Sequence, residues 1–199
     1  MSGRIVILNG APRSGKTSIA RAMQQDLPGT WINLGVDAQN ASLPEAPMPG
    51  IGLRPGGEMP ALEPVVQRLY AALYESIAAH ARQGFDVVAD VGHHDAYSTP
   101  LGILPACARR LSGFDVLFVG IRCPIETIME RRNADPQGGF YAAGETVPEP
   151  VRRWQEAVHV PGIYDLEVDT ATMTAADCVA AIAEALVAPR TAFASLARL

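Results

Sequence analysis

The feature that most constrains this chain is a motif of eight residues near its start, GAPRSGKT at positions 10–17. It matches the pattern G-x-x-x-x-G-K-[ST] at every fixed position. An apolar run precedes it at residues 5–8, and Ile19, Met23 and Leu27 follow it at helical spacing. A strand, a glycine-rich loop and a helix in this order let backbone N–H groups converge on phosphate oxygens at the helix N-terminus. We therefore predict that this P-loop binds a nucleoside triphosphate.

The residue types of the motif predict separate roles within such a site. Lys16 can reach the β- and γ-phosphates, and the Thr17 hydroxyl can bind Mg²⁺. A second magnesium ligand is expected at the end of a neighbouring strand, where the apolar run VVAD ends at Asp90. The alternative is that Asp90 only caps a turn or helix. The predicted metal ligands are Thr17 and Asp90, and the predicted nucleotide-binding residues are Gly10, Ala11, Pro12, Arg13, Ser14, Gly15, Lys16, Thr17 and Ser18.

Short apolar runs alternate with helical patterns along the rest of the chain. The runs lie at residues 5–8, 31–36, 87–91, 116–121 and 166–168. Helical spacing is seen from Val66 to Ile77, in a helix that Gly84 should stop, and again from Val179 to Leu186. Strands buried on both faces and alternating with helices indicate a parallel sheet covered on both sides. We predict an α/β fold, namely a three-layer P-loop NTPase/kinase fold with a five-stranded, mostly parallel sheet.

The length of 199 residues fits one domain, and we predict a single domain over 1–199. Residues 41–60 and 134–147 are rich in proline or glycine and lack periodicity. Because long loops in compact domains are usually functional, we interpret the first as a substrate-side insertion and the second as a lid-like loop. The alternative for both is a tolerated insertion. The tail, residues 189–199, is expected to dock on the domain or on a second copy of the chain, which leaves a homo-oligomer open.

The net charge, the apolar stretches and the cysteines limit the classes of partner that the chain is expected to bind. A formal net charge of −5 argues against a ligand held mainly through a nucleic-acid backbone. No apolar stretch approaches the roughly 18 residues that a membrane span requires. The three cysteines, Cys107, Cys123 and Cys178, form no closely spaced pair, which favours reduced thiols. We expect a cytoplasmic protein that binds neither nucleic acid nor membrane.

Two residue groups near the predicted strand ends have competing interpretations. Asp37 follows the run at 31–36, about twenty residues after Lys16. It is either a backbone cap or a reacting group that faces the cleft beside the phosphates. His93 and His94 follow Asp90. Because sequence neighbours rarely converge on one ion, we favour a substrate-lining or surface role for these histidines over a metal site.

The order of these motifs resembles the chloramphenicol phosphotransferase family. The matching segments are RIVILNG with the P-loop, GVD at 35–37, VVADV at 87–91, VGIRC at 119–123 and YDLEVDT at 164–170. The resemblance implies a fold similar to those of shikimate and adenylate kinases and transfer of the ATP γ-phosphate to an antibiotic hydroxyl. It also implies that Asp37 is the general base and that Arg131 and Arg132 clamp the phosphates. Arg131 and Arg132 as ordinary surface charges remain the alternative.

The resulting expectation is a magnesium-dependent, ATP-dependent kinase for a small-molecule hydroxyl acceptor similar to chloramphenicol, with a role in antibiotic resistance. The catalytic residues would be Asp37, Lys16, Arg131 and Arg132. The alternatives are a P-loop kinase for a sugar, nucleotide-sugar or metabolite, and a regulatory NTPase; an anionic acceptor would need a cation such as Arg54. A neutral antibiotic would need an apolar pocket, and the candidates for it are Leu53, Met59, Tyr97, Phe140 and Tyr141.

Overall fold

A computed structural model describes residues 2–44, 53–136 and 143–199 of the chain. Its sheet has five strands in the order β2-β3-β1-β4-β5, and every neighbouring pair is parallel. The predicted α/β fold with a five-stranded parallel sheet is confirmed. The strands are β1 (Ile5–Asn9), β2 (Trp31–Asn33), β3 (Asp86–Val91), β4 (Val116–Arg122) and β5 (Leu166–Asp169).

Helices connect these strands and cover the sheet. None of the helices in the described part of the chain is long and apolar enough to cross a membrane. A short 3₁₀ turn at Pro60–Leu62 leads into the longest helix, which ends shortly before Gly84 as the sequence predicted. The helices are α1 (Lys16–Asp26), α2 (Val36–Asn40), α3 (Glu63–Arg82), α4 (Ile103–Arg110), α5 (Ile125–Ala134), α6 (Glu149–Ala157), α7 (Ala175–Ala185) and α8 (Ala192–Leu196).

The core forms two layers because successive strand residues point to opposite faces of the sheet. In β1, Ile5 and Ile7 pack towards α3, α4 and α8, whereas Val6 and Leu8 pack towards α1 and α7. All four side chains are completely buried. Burial of each such aliphatic side chain stabilises the fold by about 1.5–3 kcal/mol, so β1 is anchored on both faces and holds the loop that follows it.

Strand β2 is shorter than predicted. The sequence suggested a strand over residues 31–36, but β2 ends at Asn33 and α2 begins at Val36. The Asn33 side chain accepts a hydrogen bond from the Gly35 amide at 3.1 Å, a local turn that diverts the chain. A Cβ at Gly35 would lie only 1.5 Å from Asp90 Oδ1, so the backbone approaches β3 too closely for any other residue. Asp37 therefore lies in the first turn of a helix.

The C-terminal tail docks on its own domain. Helix α8 packs against α4 and β4, and the Phe193 ring lies between Tyr74, with centroids 6.4 Å apart, and Phe118, at 5.1 Å. Phe193 and Leu196 are buried, whereas Leu199 is exposed. Of the two expectations for the tail, docking on the domain is the one observed.

The parallel arrangement determines where ligands can bind. The carboxyl ends of all five strands meet at one edge of the sheet, and the loops that follow them open a crevice there. The P-loop follows β1, α2 follows β2, and Asp90 lies near the end of β3. Residues that are far apart in sequence are thus brought together at this edge.

Candidate functional site

A cleft of about 960 Å³ opens at the carboxyl edge of the sheet, a size typical of small-molecule sites. Its floor is the P-loop and the N-terminus of α1. One end is lined by the loop between β5 and α7, and the other by α2, α3, α6 and the end of β3. The residues outside the P-loop that line it include Val36, Asp37, Asn40, Tyr70, Asp90, Val91, Gly92, Arg131, Asp135, Trp154, Thr170, Met173 and Thr174.

The P-loop has the backbone of a phosphate cradle. Arg13 and Gly15 have positive φ values of 66° and 94°, which turn successive N–H groups towards one side. Helix α1 begins at Lys16 and has no acidic residue in its first turn. Its free N–H groups and positive dipole end are thus directed at the cleft. This geometry fits the predicted binding of phosphate by residues 10–18.

Lys16 is the only lysine of the chain, and it bends back over the P-loop. Its Nζ donates to the carbonyl oxygens of Gly10 at 2.9 Å and Ala11 at 2.8 Å. Burial lowers the pKa of Lys16 to about 8, while the nearby carboxylates of Asp90 and Asp37 partly oppose this shift. The ammonium group is therefore mostly charged at neutral pH and is placed to bind a phosphate.

Thr17 and Asp90, the predicted metal ligands, lie side by side. Thr17 Oγ1 donates to Asp90 Oδ2 at 2.9 Å, and Asp90 is only 6 % exposed. Hydroxyl and carboxylate oxygens are ligands that Mg²⁺ accepts, usually together with phosphate oxygens and waters. The described residues contain no group of three His, Cys, Asp or Glu side chains that could hold a metal without such help. The pair therefore fits Mg²⁺ bound together with a nucleotide.

Asp37 is exposed and lines the cleft close enough to Lys16 to affect its pKa. Helix α2 has Gly35 as its N-cap and no side-chain capping hydrogen bond. Within the described part of the chain, the Asp37 carboxylate has no hydrogen bond or ion pair. The arrangement shows an available carboxylate at the cleft and no capping contact; the base role of Asp37 stays a prediction.

The two predicted lid arginines are held in different ways. Arg131 lines the cleft and donates to Thr170 O at 2.6 Å, Thr170 Oγ1 at 3.1 Å and Arg13 O at 3.2 Å. Arg132 is only 5 % exposed, and its one hydrogen bond within the described residues goes to Met129 Sδ at 3.7 Å. Arg131 thus braces the P-loop against the loop after β5, and Arg132 is not an ordinary surface charge.

The three described residues among the apolar ones predicted for the acceptor do not line the cleft. Leu53, Met59 and Tyr97 border a separate small cavity, while Phe140 and Tyr141 lie outside the described residues. The reason is the path of residues 53–59, which we call the strap. Two hydrogen bonds hold the strap against the loop after β3. His94 Nε2 donates to Leu53 O at 2.7 Å, and Gly56 N donates to Ala96 O at 2.7 Å.

His93 and His94 are core residues in this structure. They are 1 % and 3 % exposed, so the expected surface role is wrong, and neither lines the large cleft. His93 stacks on Tyr70 at 4.6 Å and bonds the Tyr74 hydroxyl at 2.8 Å. Burial lowers the pKa of His93 to about 3, so it is neutral and supports the cleft wall from behind.

Two aromatic residues of the cleft were missed by the sequence analysis. The Tyr70 hydroxyl donates to Gly92 O at 3.2 Å. Trp154, from α6, lies so close to Gly92 that a Cβ there would be 3.1 Å from the indole ring. Tyr70 has core-like spacing on its helix, and nothing in the sequence near Trp154 links it to the P-loop. Thr170 and Asp135, at the other end of the cleft, were also missed, because nothing in the sequence around them links them to the P-loop.

Comparisons with known proteins agree with this geometry. A family model described as "Chloramphenicol phosphotransferase-like protein" matches residues 3–187. A Mycobacterium tuberculosis protein with the name "Putative O-phosphotransferase" is 27% identical in an alignment of length 182 that covers 84% of this chain and 75% of that protein. Among solved structures, the tunicamycin resistance protein of Deinococcus radiodurans has a TM-score of 0.63 at 16% identity and covers 94% of this chain and 99% of its own. Shikimate kinase from Acinetobacter baumannii, solved with shikimate, has a TM-score of 0.58 at 13% identity and covers 92% of each chain.

Proposed function

Because the chain belongs to the chloramphenicol phosphotransferase-like family and is a phosphotransferase, we propose that it transfers the γ-phosphate of ATP to a hydroxyl group of a small molecule, with Mg²⁺ as cofactor. The acceptor we propose is a neutral, partly apolar alcohol of the chloramphenicol type. The observation that carries this proposal is the position of Asp37. Its unbonded carboxylate lines the same cleft as Lys16 and the Thr17–Asp90 pair.

In the proposed reaction, backbone N–H groups of the P-loop and the α1 N-terminus bind the β- and γ-phosphates. Lys16 leaves its carbonyl partners and neutralises charge on the group in transfer, and Arg132 adds a second cation from α5. Thr17 and Asp90 would hold Mg²⁺, which supplies further neutralisation of the phosphate oxygens. These groups act mainly by position and charge, since phosphoryl transfer passes through a loose transition state.

Asp37 would act on the acceptor. Its carboxylate accepts a hydrogen bond from the acceptor hydroxyl, orients the oxygen in line with the γ-phosphorus and takes the proton late in the transfer. A carboxylate tied up in capping bonds would be unsuited to this role, and Asp37 has no such bonds among the described residues. A positioned base of this kind contributes about 10²–10⁴ in rate.

The lining of the acceptor end supports a neutral acceptor. Val36 and the almost fully buried Tyr70, Val91 and Trp154 form the apolar and aromatic part of the cleft lining. Arg54, the cation that an anionic acceptor would have favoured, pairs instead with Glu58 at 3.4 Å and borders the small cavity beneath the strap. Aromatic and aliphatic walls with few polar groups are typical of sites for such ligands.

Incubation of the purified protein with γ-labelled ATP and Mg²⁺ tests the proposal. Chloramphenicol is supplied first, followed by a panel of sugars, nucleotide-sugars and hydroxy metabolites, and labelled product is separated from ATP. Transfer to chloramphenicol supports the full proposal. Transfer only to a charged or sugar acceptor would contradict the acceptor class but retain the kinase, and ATP hydrolysis with no labelled acceptor would contradict the kinase in favour of a regulatory NTPase.

A further inference from the structure

Two buried nitrogen donors beside the P-loop have no acceptor. Arg132 Nε and Trp154 Nε1 are inaccessible to solvent and make no hydrogen bond within the described part of the chain. Their residues are 5 % and 6 % exposed. Both line the same small cavity of about 20 Å³, which is also bordered by Ala11, Pro12, Arg13, Ile128, Pro150 and Val151.

Leaving such groups without partners is costly. A buried polar group without a hydrogen bond destabilises the fold, and a buried guanidinium without an anion does so more strongly. None of the ion pairs among the described residues involves Arg132. An oxygen atom with two lone pairs and a negative charge would satisfy both donors at once, because an indole N–H and a guanidinium N–H can each donate to it.

The location of the cavity indicates where this oxygen comes from. Pro12, Arg13 and Trp154 line both the small cavity and the large cleft. The two spaces therefore share a wall formed by the P-loop and α6. Ala11, which also borders the small cavity, accepts a hydrogen bond from Lys16 Nζ at 2.8 Å. A phosphoryl group that Lys16 binds would lie next to this donor pair.

We propose that Arg132 Nε–H and Trp154 Nε1–H together bind one oxygen of the phosphoryl group in transfer, so that Trp154 is a phosphate-binding residue of the enzyme. This rests on the proposed function. The oxygen belongs either to the γ-phosphate of the nucleotide before transfer or to the phosphate ester of the product after it. In both cases the chemistry is the same, an anionic oxygen held by two N–H donors that line one cavity.

The chain offers a matched control, since it has only two tryptophans. Trp31 is likewise buried, at 4 % exposure, and its Nε1 also has no partner, but it lies in β2 within the core layer formed with α1. Trp154→Phe and Trp31→Phe each remove one buried indole N–H and similar volume. Only the first removes a donor next to the P-loop.

The first experiment measures the affinity of each variant for the β,γ-imido analogue of ATP and for ADP, both with Mg²⁺, and for ADP together with phosphorylated acceptor. Hydrogen bonds to charged groups are worth enough to predict a loss of about 10- to 100-fold. We expect Trp154→Phe to lose this factor for the triphosphate analogue relative to ADP if the γ-phosphate is bound. It would lose the factor for the phosphorylated acceptor if the product is bound. Trp31→Phe should lose neither.

The second experiment uses Trp31→Phe as a protein with a single tryptophan. A charged oxygen that accepts from Trp154 Nε1 should shift its fluorescence on addition of the triphosphate analogue or of phosphorylated acceptor, and ADP alone should not. Arg132→Lys, which keeps the charge but has no Nε–H, should show the same loss of affinity as Trp154→Phe. The double variant should lose less affinity than the product of the two single-variant losses, because both donors bind the same oxygen.

Equal affinities in Trp154→Phe and Trp31→Phe for every phosphorylated ligand, with an unchanged Trp154 emission, would overturn the proposal. Failure of this proposal can be distinguished from failure of the proposed function. If no acceptor is ever phosphorylated, the preference for triphosphate over diphosphate in the two tryptophan variants still decides whether Trp154 binds a phosphoryl oxygen.

Discussion

The two ends of the cleft are built differently. At the P-loop, the side chains proposed to bind phosphate and metal have partners within the protein, since Lys16 donates to the loop carbonyls and Thr17 donates to Asp90. At the acceptor end, the Asp37 carboxylate has no bond within the described residues, and the neighbouring strap is attached to α6 by a surface ion pair between Glu58 and Arg153 at 2.9 Å. The side chains of the nucleotide end thus have partners before any ligand binds, whereas the Asp37 carboxylate at the acceptor end has none among the described residues.

This difference follows from the ligands that each end is proposed to bind. Phosphate groups have a fixed shape and charge, so backbone N–H groups and short side chains can be placed for them in advance. The acceptor must still be oriented against the γ-phosphorus, which requires a carboxylate that is available to its hydroxyl. The following expected effects would sharpen or break this comparison.

The largest effect should come from Lys16→Ala. Removing the ammonium group takes away a charge that we propose acts directly on the phosphates, and the loss in turnover should exceed about 10³-fold. Steady-state kinetics with saturating acceptor measures it. Arg68→Ala, an exposed cation on α3, is the control and should retain full activity. A Lys16→Ala enzyme within tenfold of the parent would mean that the P-loop does not bind the group in transfer.

Asp37→Asn should affect the acceptor end of the cleft and leave the nucleotide end unchanged. Turnover should fall by about 10²–10⁴ because the proposed general base is lost, while nucleotide affinity stays near that of the parent. Calorimetric titration of the ATP analogue and kinetics with acceptor measure the two quantities. Asp26→Asn, at the exposed end of α1, controls for the loss of one negative charge. Parental turnover in Asp37→Asn would leave this carboxylate without a catalytic role.

Asp90→Asn should lower the affinity of the site for the proposed Mg²⁺. The carboxylate is buried beside Thr17, and loss of a group that ligates or orients at a metal site typically costs 10–100-fold in metal affinity. The concentration of Mg²⁺ that gives half-maximal activity should rise by about that factor. Asp95→Asn, five positions along the chain and outside the cleft, should leave it unchanged. An unaltered Mg²⁺ requirement in Asp90→Asn would exclude Asp90 from the site.

Features that lie within one segment of the sequence could be predicted from it, whereas features assembled from distant segments could not. The P-loop is contiguous, and strands buried on both faces appear as continuous apolar runs, so the fold and the position of the P-loop could be predicted from the sequence. The acceptor wall combines Tyr70 from α3 with Trp154 from α6, two helices whose apolar residues look like ordinary core. The path of the strap, which moves Leu53 and Met59 away from the cleft, depends on hydrogen bonds that have no sequence signature. The single domain over 1–199 stays a prediction.

A smaller effect concerns the pH dependence of nucleotide binding. Lys16 has a pKa of about 8 in the free protein because it is buried, and bound phosphates should raise it. Below pH 8 the lysine is already charged. Above it, binding must take up a proton, so affinity should fall about tenfold between pH 7 and 9. Because the chain has one lysine, a single ¹³C-labelled lysine signal in NMR reports the pKa directly. Lys16→Arg, which stays charged, should flatten the dependence, and an equal slope in both proteins would contradict this origin.

The smallest effect should come from Arg153→Ala, which releases the strap from α6. Arg153 bonds Glu58 and Glu149 at 2.9 Å and 3.2 Å, and these groups are partly exposed. Exposed ion pairs contribute about 0–1 kcal/mol, so the KM for the acceptor should rise by at most about fivefold, while the KM for ATP should not change. Arg152→Ala is the control, because Arg152 lies on the same helix and pairs only with Glu149, at 3.6 Å, among the described residues. If both variants raise the acceptor KM equally, the strap does not shape the acceptor end. If Arg153→Ala raises the KM for ATP as well, the two ends of the cleft are not independent, and the contrast between them fails.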